Sequence, residues 1–258
     1  MSIRQYLSDA GVLEIIIDAP PVNAVGLNDL AALSSIVAGV GERPEVRVVI
    51  LRGEGRGFIG GGDVKEVQRL PGFDGILGQV AGSSALTVAI HECAVPVIAA
   101  VHHYCIGLGV LVAGVCDVVV ADENCSFVLA EVDNGATTGA IHAMGLMPEK
   151  RLRQAMFTGE PVSARELAAY GTVVAVADEH LVLEEARRLA TVMTKKVPDV
   201  LRAAKRSING STRRDLEVLY RQEVAITLDL NMRGHAAQAR ESVLSGDRVR
   251  RNRESGRS

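Results

Sequence analysis

The sequence predicts an α/β fold, and three of its features carry that prediction. Short runs rich in β-branched residues, typical of buried strands, alternate with segments whose apolar residues recur at helical spacing. Two of the strands lead through glycine-containing loops, at 60–62 and 107–109, into helices. Because strands and helices alternate, the all-α and all-β classes are excluded. A length of 258 residues fits one large domain, or one domain with a helical appendage.

The predicted elements follow one another at short intervals. Strands are predicted at 12–18, 46–51, 97–101, 117–121 and 126–129, where β-branched residues lie between turn signals. Helices are predicted at 27–40, within 72–94 from about Asp74, and from the second glycine loop to Val115. From Pro148 the chain is predicted to be mostly helical, with helices at 178–196, 199–209 and 215–232. Ser163 and Glu166 have the spacing of a capping box.

The composition limits the class of partner. Hydrophobic residues make up 48% of the chain, enough for a globular core without disulfides. Aromatic residues are only 3%, which argues against stacking platforms for single-stranded nucleic acid. The formal net charge of -3 gives no reason to expect a polyanionic partner. We therefore predict no nucleic-acid partner.

Cysteine, histidine and hydropathy patterns predict a cytoplasmic protein without a metal site. No apolar run reaches the roughly 20 residues of a membrane-spanning helix, and the N-terminus lacks the pattern of a secretory signal. The six histidines form no His-x-x-x-His pair. The cysteines have apolar neighbours and no Cys-x-x-Cys spacing, so we interpret them as buried free thiols: Cys93, Cys105, Cys116 and Cys125.

The loop at 56–66 is the first candidate for chemistry. Its three consecutive glycines, Gly60, Gly61 and Gly62, let the backbone approach a ligand closely. Asp63 can cap the helix that follows, and free N–H groups at such a junction suit a phosphate or a developing oxyanion. A glycine-rich loop alone is more often a tight turn, so this motif needs support from others.

Five motifs in a fixed order supply that support. They are Phe58-Ile59-Gly60-Gly61-Gly62-Asp63-Val64, the segment 96–103 with Gly107-Leu108-Gly109, Cys116 to Ala121, Phe127-Val128-Leu129-Ala130-Glu131-Val132, and Phe157-Thr158-Gly159 with Tyr170-Gly171. Together they resemble the crotonase (enoyl-CoA hydratase/isomerase) family from about residue 12 to about residue 239. The resemblance implies a ClpP/crotonase spiral of strand-strand-helix units at 1–195. It also implies a C-terminal helical trimerisation region at 196–258, with a basic tail at 248–253 that we expect to be frayed.

The resemblance also implies a chemistry. Family members bind an acyl-CoA and hold its thioester oxygen between two backbone N–H groups, which here would be those of Gly62 and Leu108. Such donors stabilise an enolate-like state, and losing one costs about 3 kcal/mol. Glu131 would be the general acid/base with a pKa raised by burial, and the alternative is an exposed loop carboxylate. Coenzyme A would arrive as part of the substrate, with no permanently bound cofactor, and the assembly would be a homotrimer or a dimer of trimers.

Further positions match parts of the family that contact the substrate. These candidate substrate-binding residues are Ala24, Gly60, Gly61, Asp63, Lys65, Gly107, Leu111, Gly139 and His142. Lys65 could instead be a solvated lysine, and His142 a packed or surface histidine. Arg202, Lys205 and Arg206 could meet the nucleotide end of CoA or form an exposed basic face.

Two departures from the family pattern keep the reaction open. Leu111 stands where hydratases usually carry a second glutamate, and leucine can neither accept a proton nor orient water. Leu108 replaces a glycine at the second donor. The nominal function is an enolate-stabilising, enoyl-CoA hydratase/isomerase-like enzyme of fatty-acid and lipid metabolism. One alternative is a hydrolase that opens a carbon–carbon bond in a cyclic β-keto acyl-CoA, because the loop after Glu131 and the run ending at His142 resemble that branch of the family. The other alternative is a CoA-binding scaffold without turnover.

Overall fold

The computed structural model describes residues 2–212 and 215–245, and these form an α/β fold with two sheets. The strands are β1 Ile3–Leu7, β2 Val12–Ile17, β3 Val48–Gly53, β4 Val97–Val101, β5 Tyr104–Ile106, β6 Val118–Asp122, β7 Ser126–Val128, β8 Val162–Ser163 and β9 Ala175–Ala177. The helices are α1 Leu27–Ala38, α2 Val64–Arg69, α3 Asp74–His91, α4 Leu108–Val115, α5 Ala140–Ala143, α6 Glu149–Thr158, α7 Ala164–Ala169, α8 Val182–Thr194, α9 Pro198–Thr212, α10 Leu216–Met232 and α11 His235–Leu244. No described helix is long and apolar enough to cross a membrane.

Consecutive strands are shared between the two sheets. The larger sheet has the order β1-β2-β3-β4-β6-β9, and all its pairs are parallel except the antiparallel β1–β2 pair. The smaller sheet has the order β5-β7-β8. β4 is thus followed by β5 in the other sheet and then by α4, and β6 is followed by β7. This repeated strand-strand-helix unit confirms the predicted spiral.

The strands of the larger sheet are apolar on both sides because both faces of that sheet are covered. All five residues of β4 are buried, as expected for a parallel sheet packed on both sides. Side chains alternate between faces along a strand, so Val97, Ala99 and Val101 join the main core, whereas Ile98 and Ala100 face α8 through Val182, Ala186 and Ala190.

Several predicted boundaries are confirmed. The strand at 97–101 and the helix start at Asp74 agree with the structure, and Asp63 caps α2 by accepting a hydrogen bond from the Glu66 amide at 3.0 Å. The Ser163 hydroxyl likewise accepts from the Glu166 amide at 3.1 Å, but the Glu166 carboxylate binds Arg151 and Tyr170 instead of completing the capping box. All four cysteines are free, and three of them are buried. The tail at 248–253 lies outside the described residues.

The predicted exposed basic face at Lys205 is wrong. The Lys205 side chain is 4% exposed, and its ammonium group lies 2.7 Å from the Asp117 carboxylate and donates to the Ile90 and Val95 carbonyl groups. Asp117 also accepts from the Val97 amide at 2.7 Å, at the start of β4. One buried ion pair therefore fastens α9 to the larger sheet, and the division at 195/196 stays a prediction.

We expect Asp117→Asn to destabilise the fold by about 3 kcal/mol, because it leaves the buried Lys205 ammonium without a counter-charge. Chemical denaturation at neutral pH measures this loss. Asp229→Asn, which removes an exposed pair with Arg233, is the matched control and should cost less than about 0.5 kcal/mol. Equal effects of the two substitutions would show that the buried pair does not hold α9 in place.

Candidate active site

A cavity of about 140 Å³ lies where both glycine loops meet the segment after β7. Helices α3, α10 and α11 cover it. Its lining residues are Gly60, Gly61, Gly62, Val64, Val67, Ile76, Gln79, Val80, Ser83, Ile106, Gly107, Leu108, Leu111, Ala130, Glu131, Asn134, Ala136, Thr138, Tyr220 and Arg240. Glu131 is the single carboxylate among them. No described cluster of His, Cys, Asp and Glu is arranged to hold a metal ion.

Backbone hydrogen bonds hold the two glycine loops side by side. The Ile106 amide donates to the Ile59 carbonyl at 2.9 Å, and Ile59 and Cys105 form an isolated parallel bridge. The Gly107 amide donates to the Val128 carbonyl at 2.8 Å, which joins the second loop to the segment that carries Glu131. The approach is close, since a Cβ at Gly107 would lie 3.3 Å from Oε1 of Glu131 and in van der Waals contact, at 3.8 Å, with Cα of Gly61.

Each of the two predicted donors follows a glycine in the left-handed region. Gly61 has φ +108° and precedes Gly62, and Gly107 has φ +52° and precedes Leu108. The amides of Gly62 and Leu108 donate no hydrogen bond within the described residues, although both residues line the cavity. Two unpaired N–H groups beside one cavity are what an oxyanion site requires.

The Leu108 side chain does not block this arrangement. Leu108 is the first residue of α4, so its amide has no partner inside the helix. Its side chain is 5% exposed and packs with the main core, beside the cavity wall. The leucine thus replaces the family glycine without removing the donor.

Glu131 is buried, so the exposed-carboxylate alternative is wrong. Burial, with a smaller contribution from the neighbouring Glu223 carboxylate, raises the pKa of Glu131 to about 8. Its Oε2 atom is fully buried and has no hydrogen-bond partner among the described residues. Backbone bonds fix its position, because its carbonyl accepts from the Asn134 and Ala136 amides at 2.9 and 2.8 Å. A buried carboxyl with a free oxygen and a pKa near neutrality suits general acid/base chemistry.

Helix α10 shapes the wall opposite the glycine loops, which the sequence did not reveal. Glu223 accepts hydrogen bonds from the Gly139 and Ile141 amides at 2.7 and 2.9 Å and thereby holds the start of α5. Thr227 accepts from the Thr137 amide at 2.9 Å. The apolar spacing along α10 predicted a helix, but the pairing of these side chains with 137–141 depends on tertiary packing.

The structure brings most, but not all, of the predicted site residues together. Gly60, Gly61, Gly62, Gly107, Leu108, Leu111 and Glu131 line the cavity. Gly139 lies behind Leu111, because a Cβ there would lie 2.6 Å from Leu111 Cδ1. Ala24 and Asp63 line a separate surface depression, and Lys65 is exposed. Their contacts with substrate stay predictions.

His142 lies one layer behind the cavity. It is 1% exposed, its Nε2 lies 3.1 Å from Thr87 Oγ1, and its ring contacts Tyr220 edge-on at 4.9 Å between centroids. Burial lowers its pKa to about 4, so the ring is neutral near pH 7. This position matches the packed-histidine alternative, and Tyr220 stands between His142 and the cavity.

Comparisons with known proteins identify the family of the chain. The chain matches the enoyl-CoA hydratase/isomerase family over residues 8–244. It is 35% identical over 97% of its length to a (7aS)-7a-methyl-1,5-dioxo-2,3,5,6,7,7a-hexahydro-1H-indene-carboxyl-CoA hydrolase of Rhodococcus jostii, covering 97% of that protein. It is 38% identical over 95% of its length to the hydrolase of the same name from Mycobacterium tuberculosis, covering 99% of it.

A solved structure shows the same fold. An enoyl-CoA hydratase from Mycobacterium avium subsp. paratuberculosis superposes with a TM-score of 0.83 at 24% identity, covering 95% of this chain and 96% of that one. The chain therefore belongs to the enoyl-CoA hydratase/isomerase family, and it is an enzyme of that family.

We expect Gly107→Ala to lower kcat/KM for an acyl-CoA substrate by at least about 100-fold, the usual effect of losing one oxyanion donor. Gly107 has φ 52° and ψ -113°, a conformation that alanine adopts only with strain, so the following Leu108 amide would turn away. The control is Gly39→Ala, because Gly39 has φ -71° and open space at its Cβ position. Full turnover by the Gly107 variant would rule out the Leu108 amide as a donor.

Proposed function

We propose that this protein is a hydrolase that opens a carbon–carbon bond in a cyclic β-keto acyl-CoA. The observation that carries the proposal is a single buried carboxylate, Glu131, facing two unpaired backbone N–H groups, with Leu111 in the place of a second carboxylate. Hydration by the two-glutamate mechanism lacks its second glutamate here, whereas hydrolysis needs only one base to activate one water. Similarity to two hydrolases of bicyclic diketone thioesters supports the same choice.

The proposed reaction gives each part of the site a role. Ionised Glu131 takes a proton from water, and the hydroxide adds to the ring ketone. The ring carbon–carbon bond then breaks, and its electron pair passes, directly or through a conjugated double bond, into the thioester as an enolate. The Gly62 and Leu108 amides stabilise the enolate oxygen. Glu131 returns its proton to the carbon, so one water has been consumed, and the carboxylic acid that forms becomes a carboxylate by releasing its proton to solvent.

The size of the cavity supports a compact acyl group. Its volume of about 140 Å³ is similar to that of an apolar protein cavity of about 150 Å³ that accepts benzene. A space of this size accepts a compact ring. Enoyl-CoA isomerisation is the second candidate, because moving a proton between two carbons also needs only one carboxylate.

Assembly, location and the binding of CoA belong to the same proposal. Exposed apolar side chains along α9 and α10, namely Val200, Ile208, Val218, Ile226 and Met232, support a homotrimer or a dimer of trimers. The depression at Ala24 and Asp63, with Lys65 nearby, is the proposed approach for the CoA moiety. Coenzyme A comes with the substrate, no cofactor is held permanently, and the enzyme works in cytoplasmic lipid breakdown.

The substrate preference tests the proposal directly. We expect the purified enzyme to open a bicyclic diketone CoA thioester with kcat/KM at least about 100-fold higher than for hydration of crotonyl-CoA, because one carboxylate cannot replace two. Chromatography of the CoA products distinguishes the two reactions. Efficient crotonyl-CoA hydration with no ring opening would refute the proposal in favour of a hydratase.

The pH dependence tests the role of Glu131. Its pKa is raised, so the ionised base is scarce below pH 8, and kcat/KM should rise about tenfold per pH unit until it levels near pH 8. Glu131→Gln should lower kcat by at least about 100-fold at every pH.

The stability of the Glu131→Gln variant provides the control for its loss of activity. Burial favours neutral Glu131, whose contribution to stability is fully present below the ordinary carboxyl pKa and is lost as the pH rises through about 8. The glutamine variant stays neutral and should therefore be no less stable than the wild type at pH 8. An active Glu131→Gln variant with an unchanged pH profile would exclude Glu131 as the base.

A further inference from the structure

Arg240 is a cation in the wall of the cavity that no described side chain neutralises. It lies on α11, lines the same cavity as Glu131, and is partly buried. Its Nε atom is fully buried and has no hydrogen-bond partner, and no described carboxylate lies within ion-pair distance of its guanidinium. By contrast, Arg221 and Arg233 each pair with the carboxylate one helical turn before them.

Direct packing fixes the helix that carries Arg240. A Cβ added at Gly135 would lie 2.4 Å from Cα of Ala236, so α11 rests on the turn that follows Glu131. Ala236 is completely buried in this contact. The base and the arginine are therefore held on adjoining parts of one rigid wall.

A buried guanidinium N–H without a partner, as at Nε of Arg240, is costly. Arginine stays charged at any relevant pH, so it cannot avoid the cost of burial by losing its proton. Burial lowers the pKa of Arg240, with no nearby carboxylate to oppose the effect. Such a group points to an anion that arrives with the ligand, and the planar guanidinium matches a carboxylate through two parallel hydrogen bonds.

We propose that Arg240 binds the carboxylate that ring opening creates, and so makes the enzyme selective for CoA thioesters whose acyl group can end in a carboxylate. This inference rests on the proposed function, because only hydrolysis of a ring ketone generates a new negative charge at the acyl end of the cavity. The charge forms beside Glu131, in a site largely lined by apolar groups. A fixed cation there stabilises it as the ketone carbon becomes a carboxylate.

Binding measurements test the proposal without requiring turnover. Mono-CoA thioesters of succinate, glutarate and adipate are compared by calorimetry with neutral acyl-CoA thioesters of equal chain length. The wild type should bind at least one carboxylated ligand about 10-fold or more tightly than its neutral counterpart, as expected for hydrogen bonds to a charged group. Arg240→Met should abolish this preference and leave the affinity for neutral acyl-CoA unchanged, and Arg240→Lys should restore part of it.

Arg233→Met is the matched control, since Arg233 is exposed and paired with Asp229 on α10. It should keep the wild-type preference. Absence of any preference in the wild type, or its persistence in Arg240→Met, would overturn the proposal. An equal loss of affinity for every ligand and for free CoA would also overturn it, because Arg240 would then contact CoA itself.

Kinetics separates failure of this inference from failure of the proposed function. If the wild type opens no cyclic β-keto thioester but prefers carboxylated ligands through Arg240, the ring-opening function fails and the carboxylate site stands. If ring opening proceeds with the same kcat and the same product inhibition in Arg240→Met, the function stands and the role of Arg240 is refuted.

Discussion

The site depends on the hydrogen bond by which the Ile106 amide joins the Ile59 carbonyl at 2.9 Å. This bond lies between a loop from the larger sheet and a strand of the smaller sheet, and it brings two left-handed glycines, Gly61 and Gly107, face to face. The amides that follow them are left free because the loops bond to each other through other groups. A second bond, from Gly107 to Val128, places the segment of Glu131 beneath both loops. The chemistry therefore follows from how the spiral closes its two sheets.

Burial has different consequences for the Glu131 carboxyl and the Arg240 guanidinium in the cavity. The Glu131 carboxyl can respond by taking up a proton, so its pKa rises to about 8, which suits the acid/base role proposed for it. Arg240 cannot respond in this way, so its charge remains, and we assign it to the carboxylate of the product. Glu223 is satisfied by two amides of the loop at 139–141 and serves to shape the wall. One cavity thus holds a buried carboxyl, two free backbone N–H groups and a cation, and each has a place in the proposed ring-opening hydrolysis that generates a carboxylate.

The sequence predicted the parts of this arrangement that depend on local pattern. Runs of β-branched residues located the strands at 12–17 and 97–101, and ordered motifs located Gly62, Leu108 and Glu131. Elements with weak local signals were missed, among them the two-residue β8 and the short β9, whose pairing partners stabilise them. The sequence analysis missed three residues at or near the cavity, namely Arg240, Tyr220 and Glu223. The apolar periodicity of a helix predicts the helix but does not predict which cavity the helix covers. Lys205 was misjudged for the same reason, since only tertiary packing pairs it with Asp117.

Ring opening in water labelled with oxygen-18 tests the central claim most directly. A bicyclic diketone CoA thioester is incubated with the wild-type enzyme in labelled water, and the product is analysed by fragmentation mass spectrometry. We predict one labelled oxygen in a newly formed carboxyl group, with the thioester intact. Label in a hydroxyl group of an unopened ring, or release of free CoA with a labelled acyl carboxylate, would show that the enzyme does not hydrolyse the ring ketone.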